Sequence, residues 1–183
     1  YLPAQRIVLA QDIANVEVMV NSYAIQPAIA GDSQVCRPQA GGFVVLDFGV
    51  ELHGGVRIVN RYKAGRIRLR FGESVSEAMQ PPNQDHAIHD TELMVPSMGM
   101  LDYGNTAFRF VRVDFLEEGM DVINIVAVAL YRDLEKGGSF VSSDARLNQI
   151  WNVGAYTLQL NMQDFIYDGA KRDRLVWMGD LHP

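Results

Sequence analysis

From Tyr1 to about Asp133 apolar and polar residues alternate with a period of two, which predicts strands with one buried face. Val16-Glu17-Val18-Met19-Val20 is one such run, and Phe43-Val44-Val45-Leu46-Asp47-Phe48 is more continuously apolar. In Arg66-Ile67-Arg68-Leu69-Arg70-Phe71, the residues Ile67, Leu69 and Phe71 point one way and three arginines the other. Phe108 to Phe115 repeats that arrangement, and Val122 to Tyr131 is a long β-branched run. Between them stand breakers such as Gly41-Gly42, Gly49, Gly54-Gly55, Pro81-Pro82-Asn83, Gly104-Asn105 and Gly119. Many short strands without an intervening helical period predict a mainly β chain: an antiparallel β-sandwich or jelly-roll domain over residues 1–137. Residues 74–107 are the least regular, and the polar stretch Ser74 to His89 predicts a loop over one end of the sandwich.

The texture changes at Gly137-Gly138. Ser143 suits an N-cap, and Asp144 places a carboxylate at the positive end of a helix dipole. Leu147, Trp151, Leu158, Met162 and Phe165 then recur at helical spacing, which predicts a helix over 144–166, about 35 Å long at 1.5 Å per residue. Asp168-Gly169 is expected to end it. Residues 138–183 thus read as the opening of a helical domain whose remainder lies outside this chain. A first residue that is Tyr rather than Met reads the same way, as a processed form or a piece.

Composition narrows the classes. The 183 residues are 48% hydrophobic and 21% charged, too apolar for disorder. A net charge of −6 argues against a nucleic-acid or anionic-membrane binder, which would meet phosphates with a basic surface. No apolar run approaches the roughly 20 residues that span a bilayer. Cys36 stands alone, so no internal disulfide forms, and cytoplasm, periplasm and exterior all stay open.

The stretch from Asp168 to Asp180 concentrates chemistry. Asp168, Asp173 and Asp180, with Arg172, Arg174 and Trp177, fall within thirteen residues. Glycoside cleavage uses such a mixture. A carboxyl group protonates the leaving oxygen, polar groups hold sugar hydroxyls, and an aromatic face packs on the ring. Caps and surface ion pairs are the plain alternative for the same residues.

The order Asp168, Arg172-Asp173, Trp177, Gly179-Asp180 resembles the catalytic loop of bacterial α-L-rhamnosidases, the inverting glycoside hydrolases of family 78. Val45-Leu46-Asp47-Phe48-Gly49 with Gly54-Gly55, Arg68 to Ser74 and Asn105 to Phe110 are similar to the β-domain that precedes their barrel. Gly138-Ser139-Phe140, Asp144 and Leu147 to Trp151 are similar to the helical entry, so the resemblance runs over about residues 42–183. It implies a β-sandwich domain (1–137) followed by the first helix of an incomplete (α/α)6 barrel (138–183). It implies Asp173 as general acid, where the family usually has Glu, one methylene longer. It implies Asp168 and Asp180 as sugar-binding carboxylates and Arg172 and Trp177 as loop framework on the substrate side. The family's general base lies further along the chain, so residues 1–183 alone are expected to be inactive. A rhamnose-containing glycan or glycoside is the implied partner, with no cofactor and no metal. A second copy covering the helix face is a further expectation. The rival reading is a non-catalytic carbohydrate-binding or assembly module, since a sandwich does not fix a function.

Other candidates are weaker. His86 and His89, flanked by Asp85 and Asp90, have metal-like spacing but sit in a predicted loop and read as solvated. Arg66, Arg68 and Arg70 are expected to be solvated or paired with acids on a neighbouring strand. Glu73 and Glu77 could shape a sugar site from the sandwich side, and Trp151 is read as core.

Overall fold

In the computed structural model the described residues are 1–21, 24–26, 31–81, 89–135 and 137–181. They form two compact units, Tyr1–Ala129 and Leu130–Pro183.

The first unit is an antiparallel β-sandwich. Its strands are β1 (Leu2–Pro3), β2 (Arg6–Ala14), β3 (Arg37–Asn60), β4 (Gly65–Gly72), β5 (His89–Val95), β6 (Gly99–Phe115) and β7 (Val122–Ala129), with short helices α1 (Val18–Asn21) and α2 (Val75–Met79). The 24-residue β3 and 17-residue β6 run through both layers. The first half of β3 lies between β2 and β6, with β4 and β5 continuing that layer. Its second half lies between β6 and β7, with β1 at the edge. Both halves share one core. Leu46 and Phe48, Val56 and Ile58, Ile67 to Phe71 on alternate positions, Phe108, Val113 and Ile125 all enter it. Phe108 stacks edge-on against Phe48 and Phe71, with ring centroids 5.7 and 4.9 Å away.

The bend is made where two backbones nearly touch. A Cβ on Gly55 would lie 2.3 Å from the Tyr103 carbonyl oxygen, and one on Gly104 2.6 Å from Phe71 Cζ. Gly104 also has φ +112°, a conformation closed to other residues without strain. Just ahead of the bend, the buried Asp47 carboxylate is fully engaged. It accepts from Arg109 Nε and Nη2 at 2.8 and 3.0 Å, Arg6 Nε at 2.8 Å and the Gly49 N–H at 2.8 Å. These groups, Arg109 foremost, hold its carboxyl well below the usual aspartate range against the opposing cost of burial.

The alternating arginines of β4 face acids on both neighbours. Arg66 pairs with Glu117 at 2.9 Å and Arg68 with Asp90 at 2.7 Å. Arg70 reaches Asp90 and Asp114 at 3.4 and 3.6 Å, and it is itself buried. Arg70 also donates to the Gln80 carbonyl at 3.1 Å, which ties the end of α2 to the sheet.

Several sequence expectations are corrected. Val16 to Val20 is a turn leading into α1 rather than a strand. Asn15, directly after β2, has left-handed backbone at φ 57°, and α1 then buries Val18 and Met19 together. Residues 89–107 are regular: they form β5 and the first part of β6. β5 ends the strand order and buries only Val95, so its alternation is faint. The helix is shorter than expected.

That helix, α3 (Ala145–Asn161), belongs to the second unit. Its N-cap is Asp144, not Ser143: the carboxylate accepts the Arg146 N–H at 2.8 Å. It stops early because Met162 pairs with Ile166 across a tight reversal, and the Gln163 side chain donates to the Leu160 and Leu130 carbonyls at 3.1 and 3.2 Å. Ile150, Val153 and Leu158, on different sides of α3, are all exposed, and Trp151 is 38% exposed rather than core. α3 is the one long helix among the described residues, and it is not apolar and long enough to cross a membrane.

Two outcomes follow from these surroundings. Asp47→Asn should cost about 2–3 kcal/mol in urea unfolding at pH 7, the range for hydrogen bonds to a charged group. Because the folded carboxyl titrates lower than the unfolded one, its contribution is complete above about pH 3.9 and is lost as pH falls below that. The gap between wild type and variant should therefore close in acid, and a gap independent of pH would refute the assignment. Burial foremost, with Glu17 and Asp121 nearby, pushes the Cys36 thiol up to about 12. Cys36 should thus resist a thiol reagent at pH 8 in the native protein and react on unfolding.

Candidate active site

α3 delivers the chain into the segment that carries the chemistry. After the reversal at Met162–Ile166, the Tyr167 N–H donates to the Asn161 carbonyl at 3.0 Å, which sets the direction in which Asp168 leaves. Asp168 then closes a loop on itself. Its N–H donates to the Leu175 carbonyl at 2.9 Å. Its Oδ1 accepts the Leu175 N–H at 3.0 Å, and its Oδ2 accepts the Trp177 indole Nε1–H at 3.0 Å. Charge-assisted bonds of this kind are stronger than neutral ones.

Within that loop Ala170 and Lys171 are buried, whereas Arg172 and Asp173 face solvent. Asp173 and Arg174 adopt left-handed backbone, with φ 53° and 51°. The Arg174 N–H donates to the Arg172 carbonyl at 2.5 Å, so the turn is centred on Asp173. Left-handed backbone at a residue other than glycine costs on the order of 1–3 kcal/mol and persists where the surroundings impose it. Arg172 Nε stands 3.8 Å from Asp173 Oδ1. Trp177, 53% exposed, keeps its ring in solvent while its N–H is engaged.

The loop therefore brings Asp168 to Trp177 and Arg172 to Asp173. Asp180 falls in the single turn Met178–Leu181, and its side chain lies outside the described residues. Nothing in the sequence pattern singled out Lys171, whose burial within a charged run has no periodic signal. The left-handed pair at Asp173–Arg174 was equally silent, because neither residue is glycine.

The remaining candidates resolve differently. Glu77 is a helix cap: its Oε2 accepts the Glu73 N–H at 2.7 Å while Ser74 Oγ accepts the Glu77 N–H at 3.2 Å. Asp85 and His86 lie outside the described residues, and His89 opens β5 opposite Phe71. Among the described residues no group of three His, Cys, Asp or Glu side chains is placed to hold a metal ion. Trp151 and Tyr156 line a groove of about 560 Å³ between α3 and Leu134, Glu135, Gly137 and Gly138.

Comparison with known proteins bears on the same segment. Residues 135–183 match the family described as the bacterial alpha-L-rhamnosidase six-hairpin glycosidase domain. An α-L-rhamnosidase of Alteromonas sp. (strain LOR) is 29% identical over 148 residues, covering 76% of this chain and 16% of its own length. In fold, the chain is similar to a rhamnosidase from Klebsiella oxytoca solved with rhamnose bound. The TM-score is 0.71 at 23% identity, over 98% of this chain and 38% of that one. A family 78 rhamnosidase of Bacillus sp. GL1 gives a TM-score of 0.60 at 21% identity, over 84% of this chain and 16% of that one. The chain thus spans well under half the length of each of these relatives. With a family match on the loop-bearing segment, a relative along most of the sequence and a shared fold, the chain is similar to α-L-rhamnosidases.

Proposed function

We propose that the protein carrying this chain removes terminal α-L-rhamnose from a glycan or glycoside by an inverting acid/base mechanism. The observation that carries this reading is the closed loop 168–177, with Asp173 at its turn, inside the segment matched to the rhamnosidase glycosidase domain. Asp173 is the general acid. It gives its proton to the glycosidic oxygen as the bond from that oxygen to the anomeric carbon breaks and charge develops on the ring. Arg172, Trp177 and Asp180 hold the sugar: a guanidinium for hydroxyls, an indole face for the ring's C–H surface, a carboxylate for further hydroxyls. Asp168 keeps lone pairs beyond its two accepted bonds and belongs to the same surface.

An inverting enzyme also needs a second carboxylate about 6.5–9.5 Å from the first to activate water on the opposite face. That group is expected from residues beyond this chain, as is the remainder of the helical domain. We take residues 138–183 as the entry to an (α/α)6 barrel whose other helices cover α3. The exposure of Ile150, Val153 and Leu158 supports this, since large apolar side chains clustered on a surface ordinarily mark one that another element covers.

Two measurements test the reading. In the intact protein, Asp173→Asn should lower kcat on an α-L-rhamnoside by about 10²–10⁴, with the larger loss for poor leaving groups. An unchanged kcat removes Asp173 from the acid role. Residues 1–183 expressed alone should release no aglycone from an aryl α-L-rhamnoside above the buffer rate. Steady turnover by that piece would mean that one chain segment supplies both carboxyl groups.

A further inference from the structure

Asp168 has four lone-pair sites, and two are committed to the loop itself, one to the backbone N–H of Leu175 and one to the indole N–H of Trp177. A third bond, from its own N–H to the Leu175 carbonyl, makes the junction two-sided. Six residues, 169–174, are enclosed between these anchors. The last two, Asp173 and Arg174, hold left-handed backbone, uncommon outside glycine and less accessible to Arg than to Asp. Fixing both ends of so short a loop limits how the chain inside can turn back. Trp177 matters separately, because its indole bond ties the strand leaving the loop to the residue entering it.

We propose that Asp168 is a positioning residue for Asp173: its ionised carboxylate clamps Leu175 and Trp177 and so holds the turn that presents the Asp173 carboxyl group. This rests on Asp173 being the general acid, and it gives Asp168 a second task beside its place on the sugar surface. A clamp acts on the geometry of proton transfer, so its loss lowers kcat. Bonds to sugar hydroxyls also strengthen in the transition state, so kcat by itself does not separate a sugar ligand from a clamp, and non-additivity with the indole donor of Trp177 does. Asn at position 168 keeps the shape but replaces one acceptor oxygen by a donor amide, which cannot face a second N–H. Phe at position 177 keeps an aromatic face for the sugar and removes only the indole donor.

The test uses the intact protein with an aryl α-L-rhamnoside, comparing wild type, Asp168→Asn, Trp177→Phe and the double variant. Indole N–H signals are followed by NMR, with the Trp177 signal identified by its loss in Trp177→Phe. The expected result is a kcat about 10²-fold lower in Asp168→Asn, whatever its KM, and a kcat about tenfold lower in Trp177→Phe. The double variant should be no worse than Asp168→Asn alone, because both act on one clamp. In Asp168→Asn the Trp177 indole signal should move upfield and exchange with solvent at least tenfold faster. A raised KM with unchanged kcat, multiplicative losses in the double variant, or an unmoved Trp177 signal each overturns the clamp. If wild type turns over no rhamnoside, the catalytic reading fails, whereas the Trp177 signal still decides the clamp by itself.

Discussion

Contact between the backbones of β3 and β6 at Gly55 and Tyr103–Gly104 is the constraint on which the sandwich rests. Two long strands bend together there and pass from one layer to the other, so each layer inherits its register from the same pair. A side chain at either glycine would force the strands apart, and Phe71 would lose its place against Phe108. The core on both sides of the bend is one cluster, so opening the crossing would expose apolar surface in both layers at once. Asp47 secures the same region through charge, drawing Arg6 from β2 and Arg109 from β6 onto one buried carboxylate.

The outer face of β4 shows how a charged strand face is stabilised without apolar cover. Its arginines meet acids from β5 and β6, and Arg70 combines two such acids with a carbonyl at the end of α2. Exposed pairs like Arg66–Glu117 add little by themselves. The buried Arg70 is different, because desolvation foremost lowers its pKa while Asp90 and Asp114 oppose that shift. Its partners are therefore required where those of Arg66 are optional.

The second unit follows another logic. Few of its described side chains are buried, and local bonds define the loop from Asp168 to Trp177. A loop closed by side-chain bonds can hold an unfavourable turn without a surrounding core, and that suits a segment whose charged residues must stay accessible. The family match covers this loop. The chemistry assigned to it in the whole protein is the proposal set out above.

The sequence by itself determined the β character of the first unit, the shared face of Ile67, Leu69 and Phe71 and the arginine face opposite it, and it marked Asp168 to Asp180 as the candidate segment. These follow from alternation and from local residue order, which a strand or a loop motif displays directly. Tertiary structure alone decided that β3 and β6 cross between layers, that Val16 to Val20 turns into a helix, and that an edge strand with faint alternation occupies 89–95. It alone decided that Trp151 is exposed, that Glu77 caps α2, and that Asp168 closes on Trp177. Each of these depends on which residues distant in sequence meet, or on a backbone conformation its residue types do not announce. The pattern along a chain records which face is buried, whereas the neighbour that buries it is a property of the fold.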